Sequence, residues 1–192
     1  MEFSDELELL YKETVNHEII EFSDIPDIDL YMDQVTTFME TKLFSFKRNK
    51  DDKILTKTMI NNYAKAKLFP APVKKKYNKN HIMMLILIYH LKSMLSINDI
   101  NKLLSPITNE LNLNSSSRIL EVLYCCFVEI QKKASSLTIA DILGGNALSE
   151  FDERLSKIKH QDEVKYILSV LVLSIFSNAE KSFAEKIIDT RF

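Results

Sequence analysis

The chain has 192 residues, 46% of them hydrophobic and 27% charged. That is enough to bury a core without a disulfide framework or a structural metal, in one domain with an appendage or in two small ones. Only two Gly and four Pro occur, and sheet-rich folds need more turn residues than that, so the composition predicts an all-α protein. Net charge is −2, but it is unevenly spread: residues 1–41 carry −11, residues 42–92 carry +11 and residues 93–192 carry −2.

Residues 4–17 predict a short amphipathic helix capped by Ser4, with Leu7, Leu10 and Tyr11 on one side. A link follows to Pro26. Residues 29–39 predict the next helix, capped by Asp27 or Asp29, with a stripe of Tyr31, Val35, Phe38 and Met39. A polar loop follows around residues 47–52. Thr56 is placed to cap a helix running to about Lys67, with Ile60, Tyr63 and Ala64 facing inward. Pro70 and Pro72 stop it, and residues 70–79 form a basic turn.

Asn78 or Asn80 begins an almost wholly apolar helix to about Leu95, with Ile82, Leu85, Ile86, Tyr89 and Met94 as core positions. A helix apolar on most sides belongs at the centre of a domain. Ser96 and Asp99 predict the start of a further helix with Ile100, Leu103 and Leu104 inside. Ser105-Pro106 reads as a cap and first-turn pair. Residues 116–133 predict a strong helix with Ile119, Leu120, Leu123, Phe127 and Ile130 buried. Residues 138–143 predict a short one stopped by Gly144-Gly145. Helices over 148–159 and 162–188 complete the chain, the last with a break near Ser177-Asn178. The domain expectation is an N-terminal helix and link (1–24), a DNA-binding-like unit (25–105) and a helical region for dimerisation or sensing (106–192).

No catalytic or metal-binding set is recognisable. The histidines at 17, 81, 90 and 160 lack metal-ligand spacing, and the two glycines form no phosphate loop. Cys125 and Cys126 are adjacent, which excludes an ordinary disulfide between them, and they read as small buried apolar residues. The expectation is a non-enzyme without cofactor or metal. The start of the chain is acidic, without the basic opening of a signal peptide, and the apolar runs at 82–89 and 166–176 fall short of a membrane span. The protein is therefore expected in the cytoplasm with no membrane partner.

The basic block carries the functional expectation, because clustered Lys and Arg neutralise phosphates. On the 56–67 helix, Thr56, Lys57, Asn61, Asn62 and Lys65 lie away from the apolar face, where amides and amines can reach base edges and phosphates. Lys74, Lys75, Lys76, Tyr77 and Lys79 follow on the turn. A solvating lysine surface, or one paired with the acidic N-terminal segment, is the competing explanation of the same charge.

The segment MINNYAKAKLFPAPVKKKYNKNHIMMLILIYHLKSMLSINDINKLL resembles the winged helix-turn-helix of MerR-type regulators. Tyr63 matches the helix tyrosine of that pattern and Leu68-Phe69-Pro70 its exit. Lys75 and Tyr77 match the basic position and closing tyrosine of the wing, and Ser96 and Ile100 its last helix. Lys67 stands where the pattern often has Gly, and Asn61 where it often has a phosphate-binding Arg. Residues 25–100, through IPDIDLYMDQVTTFM and the segment above, are also similar to a bacterial family, domain of unknown function 1836. The resemblance implies a winged helix-turn-helix followed by a C-terminal helical bundle. Its expected partner is double-stranded DNA, bound as a homodimer with 166–176 as a possible interface. A protein-interaction module and a small-molecule sensor in the C-terminal bundle are the alternatives.

Overall fold

Helix α4 (Lys79–Leu91) sits at the centre of the fold, with residues 81–88, 90 and 91 all buried. Asn78 starts it by accepting the His81 backbone N–H at 3.2 Å. This computed structural model describes residues 3–15 and 17–192, without the side chains of Val15 and Leu143. Asn16, within the expected 4–17 helix, lies outside the described residues.

Around α4 are arranged α1 (Phe3–Val15), α2 (Met32–Lys42), α3 (Lys57–Lys65), α5 (Ile97–Leu113), α6 (Ile119–Lys133) and α10 (Gln161–Arg191). Three short helices lead into the last of these: α7 (Ile139–Leu143), α8 (Asn146–Ser149) and α9 (Asp152–Leu155). The protein is all-α apart from an antiparallel pair, β1 (Leu30–Tyr31) and β2 (Lys76–Tyr77). One contiguous hydrophobic cluster runs from Ile20 to Val172, so both halves of the chain share a core. The expected stripe of α6 is buried in full.

Several local expectations change. Residues 29–31 are not helical: Leu30 pairs with Tyr77 and Tyr31 with Lys76, which delays α2 to Met32. Neither Asp27 nor Asp29 caps it. The Tyr31 N–H is taken instead by Gln34 Oε1 at 2.9 Å. Ser4 lies inside α1, which starts at Phe3. Ser105-Pro106 does not begin a helix, because Pro106 sits within α5. A proline there lacks the N–H that the Lys102 carbonyl would otherwise accept, and Ser105 Oγ donates to that carbonyl at 2.9 Å in its place.

The 148–159 helix resolves into two short ones, α8 and α9, joined by turns. In contrast, α10 runs unbroken through Ser177-Asn178, where Asn178 Nδ2 donates to the His90 carbonyl at 3.0 Å. An 18-residue window of α10 with a mean hydropathy of 1.3 meets the length and composition of a membrane span, and 28% of that window is buried within the fold. Val164, Ile167, Leu168, Leu171 and Val172 of α10 are packed in the core, while Tyr166 is exposed. Five of the eleven residues of the 166–176 run are buried, Val170, Ile175 and Phe176 are half-buried against the core, and Leu173 is exposed like Tyr166. Met94 lies beyond the end of α4 at the surface.

Candidate nucleic-acid interface

Thr56 caps α3 as its sequence predicts, with Oγ1 accepting the Met59 N–H at 3.2 Å. Ile60 and Tyr63 turn inward, and Lys57, Asn61, Asn62 and Lys65 are exposed. The helix ends before either proline is reached. Lys67 adopts a left-handed φ of +58°, and the Leu68 N–H reaches back to the Tyr63 carbonyl at 3.1 Å. Such an ending favours Gly, because a Cβ crowds the following carbonyl.

Helix α5 holds this exit in place. Thr108 Oγ1 donates to the Leu68 carbonyl at 3.0 Å, and Asn101 Nδ2 donates to the Ala66 carbonyl. His81 Nε2 lies 3.1 Å from the Pro70 carbonyl. That oxygen can only accept, so Nε2 donates to it, while Nδ1 lies 3.1 Å from the Asn78 backbone nitrogen and 2.6 Å from Asn78 Oδ1. Burial holds the His81 pKa below its ordinary value.

The basic turn is a tight hairpin. The Lys76 N–H donates to the Val73 carbonyl at 2.9 Å, and the two residues between, Lys74 and Lys75, have φ of +50° and +64°. This is the backbone of a type I′ turn, whose central positions favour Asn and Gly. Two lysines here carry conformational strain and project from the tip, where both are exposed. Pairing of β1 with β2 fixes the hairpin to the entry of α2.

The structure sorts the basic block. Lys42 pairs with Glu18 at 3.2 Å, Lys47 with Glu40, Lys57 with Asp33 and Lys79 with Asp27 at 2.7 Å. All four acids come from the acidic first segment. Arg48 pairs with Asp189 at 2.7 Å, and Lys92 donates to the Ile54 carbonyl at 2.8 Å. Burial, first, and the nearby Lys181 charge, second, push the Lys92 pKa down to about 8. Among the described residues, Lys50, Lys53, Lys65, Lys67, Lys74, Lys75 and Lys76 have no ion-pair partner; Lys50 and Lys53 lie in the loop before α3 and the other five between positions 65 and 76.

The predicted site residues therefore divide. Asn61, Asn62, Lys65, Lys74 and Lys75 are exposed, the first three on α3 and the last two on the hairpin that follows it. Lys76 is half-buried with its ammonium 5.4 Å from the Tyr31 ring centroid. Lys79 is committed to Asp27 and lies 3.9 Å from the Phe22 centroid, a cation–π contact that supports structure rather than a ligand. Thr56 spends its hydroxyl oxygen on the cap. Tyr77 is a correction: it is 4% exposed, with its ring edge-on to His81 at 5.5 Å, and belongs to the core. Lys67 was not singled out from sequence, although its place in the exit, where the MerR-type pattern often has Gly, was the available signal.

Both cysteines are free thiols. Burial raises their pKa values, Cys126 to about 11, so neither is an activated nucleophile. Among the described residues, no group of three or more His, Cys, Asp or Glu could hold a metal ion.

No curated protein and no solved structure matches the chain. A family model does, described as Domain of unknown function (DUF1836), over residues 20–127. The match takes in the β1–β2 pair, the α3 exit, the hairpin, all of α4 and α5, and α6 as far as Phe127. It covers more than half of the sequence, and the chain belongs to the DUF1836 family.

Proposed function

We propose that the protein is a DNA-binding transcriptional regulator, with α3 as the recognition helix and the 73–76 hairpin as the wing of a MerR-like winged helix-turn-helix. The observation that carries this reading is the placement of the unpaired cations. Much of the basic block is neutralised internally, and of the cations left over Lys65, Lys67, Lys74 and Lys75 lie on the end of α3, its exit and the hairpin tip, while Lys50 and Lys53 lie in the loop before α3. The recognition helix and the hairpin tip are the two places where such a domain meets its duplex.

In this reading α3 enters the major groove, and Asn61 and Asn62 present amides that match the paired donor and acceptor of adenine. Lys65 and Lys67 meet phosphates at the groove edge, and Lys74 and Lys75 meet the backbone beyond it. The left-handed Lys67 is the backbone that a Gly would supply at that point of the MerR-type pattern. A helix of nine residues presents few side chains, so a homodimer reading two half-sites about 34 Å apart supplies the remaining affinity.

A second reading, an acidic protein partner, is favoured by the carboxylates that the same block already holds from the N-terminal segment. Salt-dependent gel shifts on genomic fragments separate the two. Binding that weakens steeply with salt, and is lost in Lys74→Glu/Lys75→Glu/Lys76→Glu, is expected. Absence of binding to any fragment at low salt overturns the DNA reading.

A further inference from the structure

A cleft of about 310 Å³ opens where the Phe44–Phe46 turn, α4, α6 and α10 meet, well away from the exposed face of α3. Its walls include Tyr11, Phe46, Ile175 and Phe176. Small-molecule sites are apolar concavities with a few oriented polar groups, and their volumes start at about 300 Å³.

His90 is the polar group that stands out. It is 4% exposed and borders the cleft, with Phe46 and Phe127 edge-on to it at 5.2 and 5.1 Å. Among the described residues its ring nitrogens have no hydrogen-bond partner. Yet among the described residues no buried side-chain nitrogen or oxygen is sealed off without one, so the imidazole, which borders the cleft, opens onto it. Burial, reinforced by the nearby His17, pushes its pKa down to about 3. The ring is thus neutral and offers one N–H and one lone pair.

Gln131, Ser135 and the Tyr11 hydroxyl also line the cleft, and two further polar neighbours are engaged. The Asn178 amide is taken by the His90 carbonyl and the Ser93 hydroxyl, and Lys132 pairs with Glu21 at 2.5 Å. His17 lies flat on Phe46 with ring centroids 4.1 Å apart. The walls therefore favour an uncharged molecule, and the aromatic lining favours a ring.

We propose that this cleft binds a neutral, ring-bearing small molecule about the size of a bicycle, held by one hydrogen bond to the His90 imidazole. The proposal does not depend on DNA binding, and none of the readouts below involves DNA.

The chain contains no Trp, so the fluorescence of added indole can be followed without a protein indole background. Saturable binding of indole to the full chain is expected, with a blue-shifted emission. N-methylindole, which has lost the N–H, is expected to bind about three- to tenfold more weakly, as loss of one hydrogen bond implies. In His90→Leu that difference disappears. Ala179→Phe, which fills the cleft from α10, abolishes binding of both probes, with circular dichroism reporting whether each variant is folded. The comparison of the two probes on the unmodified protein needs no variant. Failure of indole to saturate at millimolar concentration, equal affinity for indole and N-methylindole, or unchanged binding in folded Ala179→Phe overturns the proposal.

Discussion

Thr108 Oγ1 donates a 3.0 Å hydrogen bond to the Leu68 carbonyl, forty residues earlier in the chain. Thr108 and Leu68 are both buried, so this bond fastens α5 to the left-handed exit of α3 where water cannot replace it. Thr108→Val keeps the shape and leaves the carbonyl unpaired. A loss of about 1–2 kcal/mol is expected in urea denaturation followed by circular dichroism, because a buried acceptor is left unsatisfied. Stability equal to the parent would mean that the Leu68 carbonyl finds another donor.

The hairpin tip sets stability against function. Lys74 and Lys75 hold positive φ values that Asn and Gly adopt with less strain. Lys74→Asn/Lys75→Gly is expected to raise stability by about 1–2 kcal/mol. The same change removes two unpaired cations, so the slope of log affinity against log salt for DNA is expected to flatten by about two. Thermal melts and anisotropy titrations at several salt concentrations measure the two effects separately.

Acid is expected to destabilise the fold through its buried imidazoles. The folded His90 pKa, at about 3, lies below the ordinary 6.5, so the unfolded chain binds the extra proton between these values. The contribution is fully present above pH 6.5 and is lost as pH falls toward 3, by about 2 kcal/mol at pH 5 for this group alone. Burial also lowers His17 and His81, and both act in the same direction. Urea denaturation at pH 7 and pH 5 measures the loss. His90→Phe is expected to reduce the pH dependence by about one proton, and an unchanged slope would refute the assignment.

The two asparagines of α3 are expected to govern sequence preference rather than overall attraction. Asn61→Ala or Asn62→Ala should relax discrimination at one base pair by about 1–3 kcal/mol. The salt slope should stay that of the parent, because no phosphate contact is lost. Selection of binding sites from a random DNA library reads the first quantity, and titrations at varied salt read the second.

Three helix starts were legible in the sequence: Thr56, Asn78 and Ser96 each accept a backbone N–H three residues on, as their side-chain chemistry predicts, whereas Ser4, Asp27, Asp29 and Ser105 do not cap the helices expected of them. The three signals are local, with the capping oxygen and its donor one turn apart. The β1–β2 pair was not legible, because Leu30 meets a partner 47 residues away and its neighbours have helical periodicity. Ser105-Pro106 misled for the opposite reason. The dipeptide resembles a helix start, while the apolar spacing of Leu104, Ile107 and Leu111 continues through it, and burial prevailed over the local signal.

At the site, charge could be counted from sequence, but pairing could not. Lys57 and Lys65 both stand on the polar side of α3, and only the fold brings Asp33 to the first of them. Tyr77 was assigned to the surface with the lysines around it, whereas the alternation of β2 turns its ring inward.

The continuity of α5 across Pro106 has a consequence for dissecting the molecule. A truncation at residue 105 would cut through a helix, removing Thr108 from the α3 exit together with the buried Ile107 and Leu111. The smallest self-sufficient fragment that holds α3 and the hairpin therefore extends past Asn114. With α5 unbroken at that point and one hydrophobic cluster running from Ile20 to Val172, the two halves share a core and are not joined there by a flexible tether.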